Sequence, residues 1–582
     1  MFKQFGTAGL WIATVLCALQ CAPMSADTAV PAAEIDLRLI ALNDFHGYIV
    51  PPDEGLAVPD PRDASKTLTL PAGGAASLAT LVQRLQAGHP LNAVVAAGDL
   101  VGASPFASAL FHDEPTIQAL NAIGLSLSAV GNHEFDHGRD ELLRLQNGGC
   151  HPRGERGRDT CIGGDFVGAQ FHYLAANVVD RVSRRPLFAP YEIKTFTSPG
   201  VRALHIAFIG LVLQHTASMV LPSGITSLEF RDEAATANAL VPQLQKLGVD
   251  AIVLLIHQGG STSGSFNDHR CPDFSGELLA ILDALDSAIR VVVSGHTHQA
   301  YICRRGDRLV TSAGSYGRLL TAIDLHFDAA SGALRAFEAD NYPVVNAAIA
   351  DIDSETYAPL PPDAAVAALL KPYQDLSTPL GERVIGHLTA PLLRKLSAAG
   401  ESTLGDVIAD SMLDAAQKAG AAIAFTNSGG LRQDLIPRGA DGAISYAQLF
   451  AALPFDNALV AMDLSGAQIK TLLRQQRRFP QPRPLQVSRG FGYSWSAGRL
   501  DGPSVKLLGE PVLASKTYRV VVNQFLAEGG DGFEVLTRGT HRVVVGRDLD
   551  AALSYFDAHS PLTPSLPARI VCDDCVIPDT RH

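Results

Sequence analysis

Residues 36 to 345 repeat one pattern, in which a short β-rich run ends in a polar cluster and a helix-like segment follows. The β-rich runs are EIDLRLIALND, LNAVVAAGD, LSLSAVGNHE, ALHIAFIGL, DAIVLLIHQGG and IRVVVSGHTH, and AASLATLVQRLQAG and EAATANALVPQLQKLG are two of the helix-like segments. Strands that alternate with helices predict a layered α/β domain. Ligand sites in such folds gather beyond the strand ends, so the polar clusters contain the candidate site residues.

A second, smaller mixed α/β domain is predicted after this one. Its runs AAIAFTNSGGLR, ALVAMDLSG and TYRVVVNQFLAEGGDGF end in glycine-rich turns. ESTLGDVIADSMLDAAQKAG predicts a helix that Ser402 caps and Gly420 stops. The predicted division is a signal peptide at 1–26, a catalytic domain at 36–345, a connector with a helix at 346–382, a second domain at 383–570 and a tail at 571–582.

Length and charge narrow the class of protein. A chain of 582 residues is too long for one core, and 47% apolar with 18% charged residues is a globular balance. The formal net charge of −13 argues against binding to a nucleic-acid polymer, whose phosphates require a basic surface. An acidic protein that handles anions therefore needs metal ions or a few arginines at its site.

The first 26 residues predict export. Lys3 precedes the apolar run AGLWIATVLCAL, which has the length of a signal-peptide core and is too short to span a membrane. Cys21 after Gln20 is a weaker lipoprotein signal. We therefore expect a periplasmic or secreted protein without a membrane span, with lipid anchoring as the less favoured alternative.

Six cysteines follow this leader, and an even number in an exported chain suggests disulfides. Pairing by proximity predicts Cys150–Cys161, Cys271–Cys303 and Cys572–Cys575. For the last pair, CDDC, half a zinc site, a redox pair or free thiols remain alternatives.

Metal binding is the chemistry that the strand-end clusters favour. Imidazole and carboxylate without thiolate suit zinc, manganese, iron or cobalt, and less strictly magnesium or calcium. One ion would not need so many ligands, so we predict two divalent ions that share Asp99. Asp-x-His and His-x-His are expected to place both side chains on one side of an extended segment. The predicted ligands are Asp44, His46, Asp99, Asn132, His257, His296 and His298.

Each cluster also has a simpler explanation. A single buried histidine is more often a hydrogen-bonded core residue than a ligand, and NDFHG alone is equally consistent with a turn. Such clusters at five successive strand ends are hard to produce by chance. Two cations about 3.5–4 Å apart form the site that cleaves phosphate esters with an activated water. GGAASLA at 73–79 lacks the Lys-Ser/Thr of a phosphate-binding loop, so helix packing explains it better.

The motifs NDFHG, GD, GNHEFD, H and GHTH resemble the metallophosphoesterase superfamily. With NSGGLR, LPFDN and GGDGF downstream, the chain resembles the secreted 5′-nucleotidase family, which includes bacterial UDP-sugar hydrolases. The resemblance spans nearly all of residues 36 to 565. It implies a layered αββα catalytic sandwich followed by a smaller nucleotide-binding domain. It implies that Asp44, His46, Asp99 and His298 hold one ion, and that Asp99, Asn132, His257 and His296 hold the other.

The same resemblance implies roles for the remaining motif residues. Asn132 would reach metal and phosphate, and His133, oriented by Asp136, would form a catalytic dyad. Phe455 and Phe525 would stack on the base, and Asp531 would bind the ribose hydroxyls. Asn427, Gly430 and Arg432 would face base and phosphate. Alone, Phe455 would be assigned to a core and GGDGF to a turn.

One departure from the family pattern concerns phosphate binding. Family members carry a further arginine near the start of the ESTLGD-type helix, where this chain has Gly400. Arg394 and Lys395 lie several residues earlier. The arginine-rich loop CHPRGERGRDTC is interpreted as a solvated surface loop rather than an anion guide, and His137 is assigned to the surface.

The predicted function is that of an exported phosphohydrolase with two metal ions, which releases phosphate from nucleotides. Three alternatives remain. The first is a UDP-sugar or 2′,3′-cyclic-nucleotide phosphodiesterase, and the second is a thiosulfohydrolase-like enzyme on the same metal site. The third is a non-catalytic metal-binding surface protein, which a missing ligand would favour.

Overall fold

The computed structural model describes residues 34–349, 357–478, 482–565 and 568–573. The predicted signal peptide, Cys575 and most of the predicted tail lie outside the described residues. The first domain and the connector contain the strands β1 (Glu34–Leu42), β2 (Leu56–Asp60), β3 (Asp63–Leu70), β4 (Asn92–Ala96), β5 (Leu125–Ala129), β6 (His172–Leu174), β7 (Val178–Asp180), β8 (Tyr191–Phe196), β9 (Leu204–Val212), β10 (Leu228–Phe230), β11 (Ala251–His257), β12 (Ile289–Ser294), β13 (Ala300–Arg305), β14 (Arg308–Ala313), β15 (Leu319–Asp328) and β16 (Leu334–Pro343). Their helices are α1 (Ala75–Gln86), α2 (Phe106–Ala109), α3 (Glu114–Ile123), α4 (Arg139–Asn147), α5 (Glu233–Lys246), α6 (Leu278–Ala284) and α7 (Ala364–Gly381).

Two six-stranded sheets form the centre of the first domain, with the strand orders β16-β15-β1-β4-β5-β6 and β13-β14-β12-β11-β9-β8. Side chains alternate across β1, so that Leu37 and Leu39 face a core shared with Val253 of the second sheet, while Ile40 and Leu42 face another core. Helices α1 and α3 contribute to that outer core, and α5 and α6 cover the opposite sheet. The predicted αββα sandwich is confirmed.

Parallel pairing brings the site-bearing strand ends to common edges. Strands β1, β4, β5 and β6 are mutually parallel neighbours, as are β9, β11, β12 and β14. Because parallel strands end at the same edge of a sheet, the residues that follow β1, β4, β5, β11 and β12 come close together.

The second domain is built on a five-stranded sheet of order β21-β18-β26-β20-β27. Helix α8 packs on one face through Ile408 and Met412, and α10 packs on the other through Ile469 and Leu473. Its strands are β17 (Val384–His387), β18 (Ile423–Asn427), β19 (Ala443–Ser445), β20 (Ala458–Ser465), β21 (Leu485–Val487), β22 (Phe491–Ser496), β23 (Arg499–Leu500), β24 (Lys506–Leu507), β25 (Glu510–Pro511), β26 (Thr517–Asn523), β27 (Thr540–Arg547) and β28 (Ile570–Cys572). Its helices are α8 (Thr403–Ala415), α9 (Tyr446–Ala452), α10 (Gly466–Gln475), α11 (Gln524–Ala527) and α12 (Asp548–His559).

Helix α8 begins as predicted and ends earlier than predicted. The Ser402 side chain accepts a hydrogen bond from Gly405 N, the arrangement expected of an N-cap. The helix stops at Ala415, and a 3₁₀ turn follows before Gly420 adopts a left-handed φ of 80°. Glycine thus closes the irregular turn after the helix, where a side chain would be strained.

The helix of the connector packs on the first domain. Leu370 of α7 belongs to the core formed with α1 and α3, and the Tyr373 ring meets Phe111 edge to face at 5.0 Å. Contact with the second domain is partly aromatic, because the Phe106 ring lies 5.1 Å from Tyr446 and 5.4 Å from Phe450.

Disulfides join Cys150 to Cys161 and Cys271 to Cys303, as pairing by proximity predicts. The predicted bond between Cys572 and Cys575 involves a residue outside the described ranges. Among the described residues, no helix has both the length and the apolar character that crossing a bilayer requires.

Candidate active site

The seven predicted metal ligands meet at the edges where the strands of the first domain end. Six of their side chains form two groups with potential ligand atoms within 4.8 Å of one another. The first group is Asp44, His46 and His298, and the second is Asp99, His257 and His296. This division follows the one that the family resemblance implies.

Asp99 lies between the two groups. Its Oδ2 atom is 2.9 Å from His257 Nε2 and 3.6 Å from His46 Nε2. His46 Nε2 in turn lies 3.1 Å from His298 Nε2. One oxygen of Asp99 therefore faces ligands of both groups, which is the position required of a bridging carboxylate.

Hydrogen bonds to backbone carbonyls orient His46 and His257 so that the Nε2 atom of each faces this centre. His46 Nδ1 lies 2.9 Å from the carbonyl oxygen of Gly102, and His257 Nδ1 lies 2.7 Å from that of Ala97. A carbonyl oxygen only accepts, so each Nδ1 carries a proton, and in the neutral ring Nε2 is the nitrogen left to bind a metal. Histidines that bind metals are typically oriented in this way.

Two buried atoms of the centre, His257 Nε2 and Asn132 Oδ1, form no hydrogen bond of good geometry among the described residues, although Asp99 Oδ2 lies 2.9 Å from His257 Nε2. Leaving a buried polar group unsatisfied costs about 1–3 kcal/mol. A cation at this position would remove that cost at both atoms. The donor set, its burial and these unsatisfied atoms all fit a pair of divalent ions.

The backbone at the ligands differs from the extended form predicted for Asp-x-His and His-x-His. Asp44, His46, Asp99, His296 and His298 have φ values of 49°, 47°, 51°, 72° and 54°, in the left-handed region that side chains disfavour. These five residues thus lie in tight turns beyond the strand ends, whereas His257 is the last residue of β11. Such strain persists only where surrounding contacts hold it, and it concentrates at functional sites.

His133 and Asp136 form the predicted pair beside this centre. His133 Nδ1 lies 2.8 Å from Asp136 Oδ2, which also accepts from Ala103 N. Burial lowers the pKa of His133, but the carboxylates of Asp136 and Asp99 outweigh this effect, so its net pKa is raised. The arrangement favours an imidazolium that can stabilise developing negative charge or donate a proton.

The second domain brings its predicted residues to the same cleft, whose volume is about 2220 Å³. The Phe455 ring lies nearly parallel to the His133 ring, with centroids 5.9 Å apart and an interplanar angle of 15°. The predicted residues that line this cleft include Asn132, His133, Asn427, Gly430, Arg432, Phe455, Phe525 and Asp531.

A polar network holds Asp531, the residue predicted to bind the ribose hydroxyls. Asn427 Nδ2 donates to Asp531 Oδ2 at 3.1 Å, and Asn523 Nδ2 donates to Asn427 Oδ1 at 2.9 Å. Arg483 lies 3.5 Å from Asp531 Oδ1. Sequence reasoning missed Asn523 and Arg483. The position of Asn523 at the end of β26 could have revealed it, whereas Arg483 carried no signal beyond its charge.

Three residues that the sequence did not assign to the site lie near it. Arg394 Nη1 donates to the carbonyl oxygen of Arg432 at 2.6 Å, so a second arginine stands beside Arg432 although Gly400 replaces the family's arginine. Burial and the neighbouring Arg432 lower the pKa of Arg394. His137 is exposed as predicted, yet it lines the cleft, as does Arg153 of the disulfide loop.

Comparison with known proteins assigns both domains. Residues 37–300 match the family described as calcineurin-like phosphoesterase, and residues 384–538 match the 5′-nucleotidase, C-terminal domain. The chain belongs to the 5′-nucleotidase family of metallophosphoesterases. This membership identifies it as a metal-dependent phosphoester hydrolase and confirms the predicted family and two-domain α/β fold.

Relatives in this family cover nearly the whole chain. The structure of the 5′-nucleotidase precursor from Thermus thermophilus superposes with a TM-score of 0.70 at 26% identity, covering 93% of this chain and 100% of that one. The 5′-nucleotidase of Vibrio cholerae serotype O1 is 24% identical over 95% of this chain and 97% of its own. Endonuclease YhcR of Bacillus subtilis is 30% identical over 90% of this chain, which spans only 40% of that relative's length.

Proposed function

We propose that this family member is an exported 5′-nucleotidase that uses two divalent ions to release phosphate from nucleoside monophosphates. One observation carries the proposal. The metal ligands Asp99 and Asn132 line the same cleft as the predicted base-stacking residues Phe455 and Phe525. A phosphate at the metal centre and a nucleoside on the second domain would therefore occupy one continuous space.

Within this cleft, the residues of the first domain orient the reaction. When bound, the two ions neutralise phosphate charge and supply an activated water. The Gly102 and Ala97 carbonyls orient His46 and His257, so that the Nε2 atom of each faces Asp99 and the proposed ions. Asp136 holds the Nδ1 proton of His133, which leaves the opposite ring nitrogen to stabilise the phosphoryl or leaving oxygen.

Residues of the second domain would select the nucleoside. Aromatic faces stack on any base, so Phe455 and Phe525 permit broad base use. Asp531, held by Asn427, would accept hydrogen bonds from ribose hydroxyls. Arg432 offers a planar fork to phosphate oxygens, and Arg394 adds charge beside it.

The names of the relatives support a mononucleotide substrate over a nucleic-acid polymer. Two relatives that cover 93% and 95% of this chain, from Thermus thermophilus and Vibrio cholerae, are named 5′-nucleotidases. The name endonuclease belongs to a relative of which this chain spans 40%. The net charge of −13 also opposes extended contact with a polyanion.

Export is part of the proposal, because disulfides form in oxidising compartments and this chain contains Cys150–Cys161 and Cys271–Cys303. Cell fractionation and N-terminal sequencing of the mature protein test it. A mature chain that starts after residue 26 in the periplasm or medium supports the proposal, whereas an uncleaved cytoplasmic chain contradicts it.

The activity is tested by a phosphate-release screen on the chelator-treated full chain, with Mn²⁺, Zn²⁺, Co²⁺, Mg²⁺ or Ca²⁺ added back. Substrates are AMP, UMP, UDP-glucose, 2′,3′-cyclic AMP and single-stranded DNA, with a thiosulfonate assay in parallel. Cyclic AMP, UDP-glucose and DNA need a second phosphatase to reveal the cleaved ester. We expect the highest kcat/KM for the monophosphates. A higher value for another substrate, or no turnover with any metal, contradicts the proposal.

A further inference from the structure

Glu134 is a fully buried carboxylate next to the metal centre for which the reaction described above has no use. Its side chain is 3% exposed and lies in the GNHEFD motif, between His133 and Phe135. Burying a charge is costly unless it is well hydrogen-bonded. The contacts of Glu134 therefore indicate its role.

Three backbone N–H groups donate to this one carboxylate. Oε2 accepts from Asp99 N at 2.8 Å and from Gly131 N at 2.5 Å, and Oε1 accepts from Leu100 N at 2.7 Å. The Tyr173 hydroxyl lies 3.5 Å from Oε1. The donors come from two loops, one following β4 and the other following β5.

Each of these two loops carries a predicted metal ligand. Asp99 belongs to the first loop, and Asn132 directly follows Gly131 in the second. The loops lie so close that a side-chain carbon on Gly131 would overlap Asp99 Oδ1, and one on Gly98 would lie 2.6 Å from Gly131 N. Glycine at both positions allows this approach, and Glu134 joins the backbones of the two loops.

These three hydrogen bonds, called here the Glu134 clamp, hold a strained backbone conformation in place. Asp99 has a φ of 51°, in the left-handed region, so its backbone needs external contacts to remain there. Two of the three N–H groups held by Glu134 belong to Asp99 and to the residue after it. The carboxylate thus fixes the turn from which the Asp99 side chain projects to both ligand groups.

We infer that Glu134 is a positioning residue for the metal centre, which holds Asp99 and Asn132 at the separation that two ions require. This inference rests on the metal centre proposed above. Glutamine keeps the size of the side chain but offers one acceptor oxygen and an NH₂ group. That NH₂ must face at least one of the three N–H donors. The Asp99 turn should then relax and the ligands should move apart.

The test is isothermal titration of Mn²⁺ into the chelator-treated full chain. Loss of a partner that orients a ligand typically weakens metal affinity about 10–100-fold, so we expect that increase in Kd for Glu134→Gln. Excess Mn²⁺ should restore most of its AMP hydrolysis. Glu401→Gln is the matched control. Glu401 is another buried glutamate that accepts a backbone N–H, from Arg569 at 2.7 Å, but it lies in the second domain. Its Mn²⁺ Kd should equal that of the wild type.

A Kd for Glu134→Gln within twofold of wild type overturns the inference. If that variant does not fold, Glu134→Asp takes its place. This variant keeps the charge but withdraws the carboxylate by one methylene. An unchanged Mn²⁺ Kd in this variant would also overturn the inference. If neither variant folds even with Mn²⁺, Glu134 supports the fold rather than the ligands, and the inference fails. Asp99→Ala separates the two hypotheses: unchanged Mn²⁺ binding in that variant refutes the proposed centre itself.

Discussion

Replacing Phe525 with alanine should weaken nucleotide binding without affecting a phosphate ester that has no base. The half-buried Phe525 ring lines the cleft, and it packs closely against Gly530, where an added side-chain carbon would collide with it. The ring therefore has one side left for a base. Alanine removes this surface and leaves the metal centre of the first domain unchanged.

The size of the effect follows from that geometry. Stacking of a base on an aromatic ring contributes about 1–3 kcal/mol, and a single-sided stack belongs in the lower part of this range. At about 1–2 kcal/mol, and with 1.4 kcal/mol for each factor of ten, KM for AMP should rise about 5- to 30-fold. The kcat should change by less than about threefold, because the lost contact is uniform binding energy rather than transition-state stabilisation.

The assay measures steady-state phosphate release from AMP and from ribose 5-phosphate, with saturating metal. Ribose 5-phosphate keeps the ester and the ribose but has no base, so its KM should not change. Phe525→Trp, which preserves an aromatic face, should stay near wild type for AMP. Equal increases in KM for both substrates, or an unchanged KM for AMP, would refute stacking on Phe525.

Three further predictions concern the metal centre and the stability of the fold. Asp99→Ala should lose both bound metal, measured by elemental analysis, and AMP hydrolysis, and retained turnover would exclude a bridging role. Burial raises the pKa of Asp548 from 3.8 to about 7, so its contribution to stability is complete below about pH 4 and is lost as pH rises through about 7. Asp548→Asn should therefore stabilise the chain at pH 8, by at most about 4 kcal/mol, and not at pH 4; equal urea midpoints of variant and wild type at pH 8 would contradict this. Ser402→Ala removes the cap accepted from Gly405 N and should cost about 1 kcal/mol in urea unfolding, whereas a loss below about 0.3 kcal/mol would show that the cap contributes little.

The sequence alone determined the elements of the fold and the chemical identity of the candidate ligands, because both are local properties. The β-rich runs that predicted β1, β4 and β5 begin within one residue of the observed strands. Ser402 was identifiable as a cap because its type and position satisfy a local rule. Asp44, Asp99 and His257 were candidates because polar clusters recur where the β-rich runs end, and ligand sites in such folds gather there.

Only the tertiary structure decided how these residues are used. The left-handed turn at Asp99 is held by hydrogen bonds to Glu134 from another loop, which no local pattern encodes. Arg394 stands beside Arg432 because the chain folds back across 38 residues, so spacing in the sequence could not place it. The Glu134 clamp joins two separate loops, and Asp99 in the first loop lies 35 residues before Glu134 in the sequence. Such long-range contacts form only when packing of the sheets brings separate strand ends to one edge, and that packing sets the distances on which binding and catalysis depend.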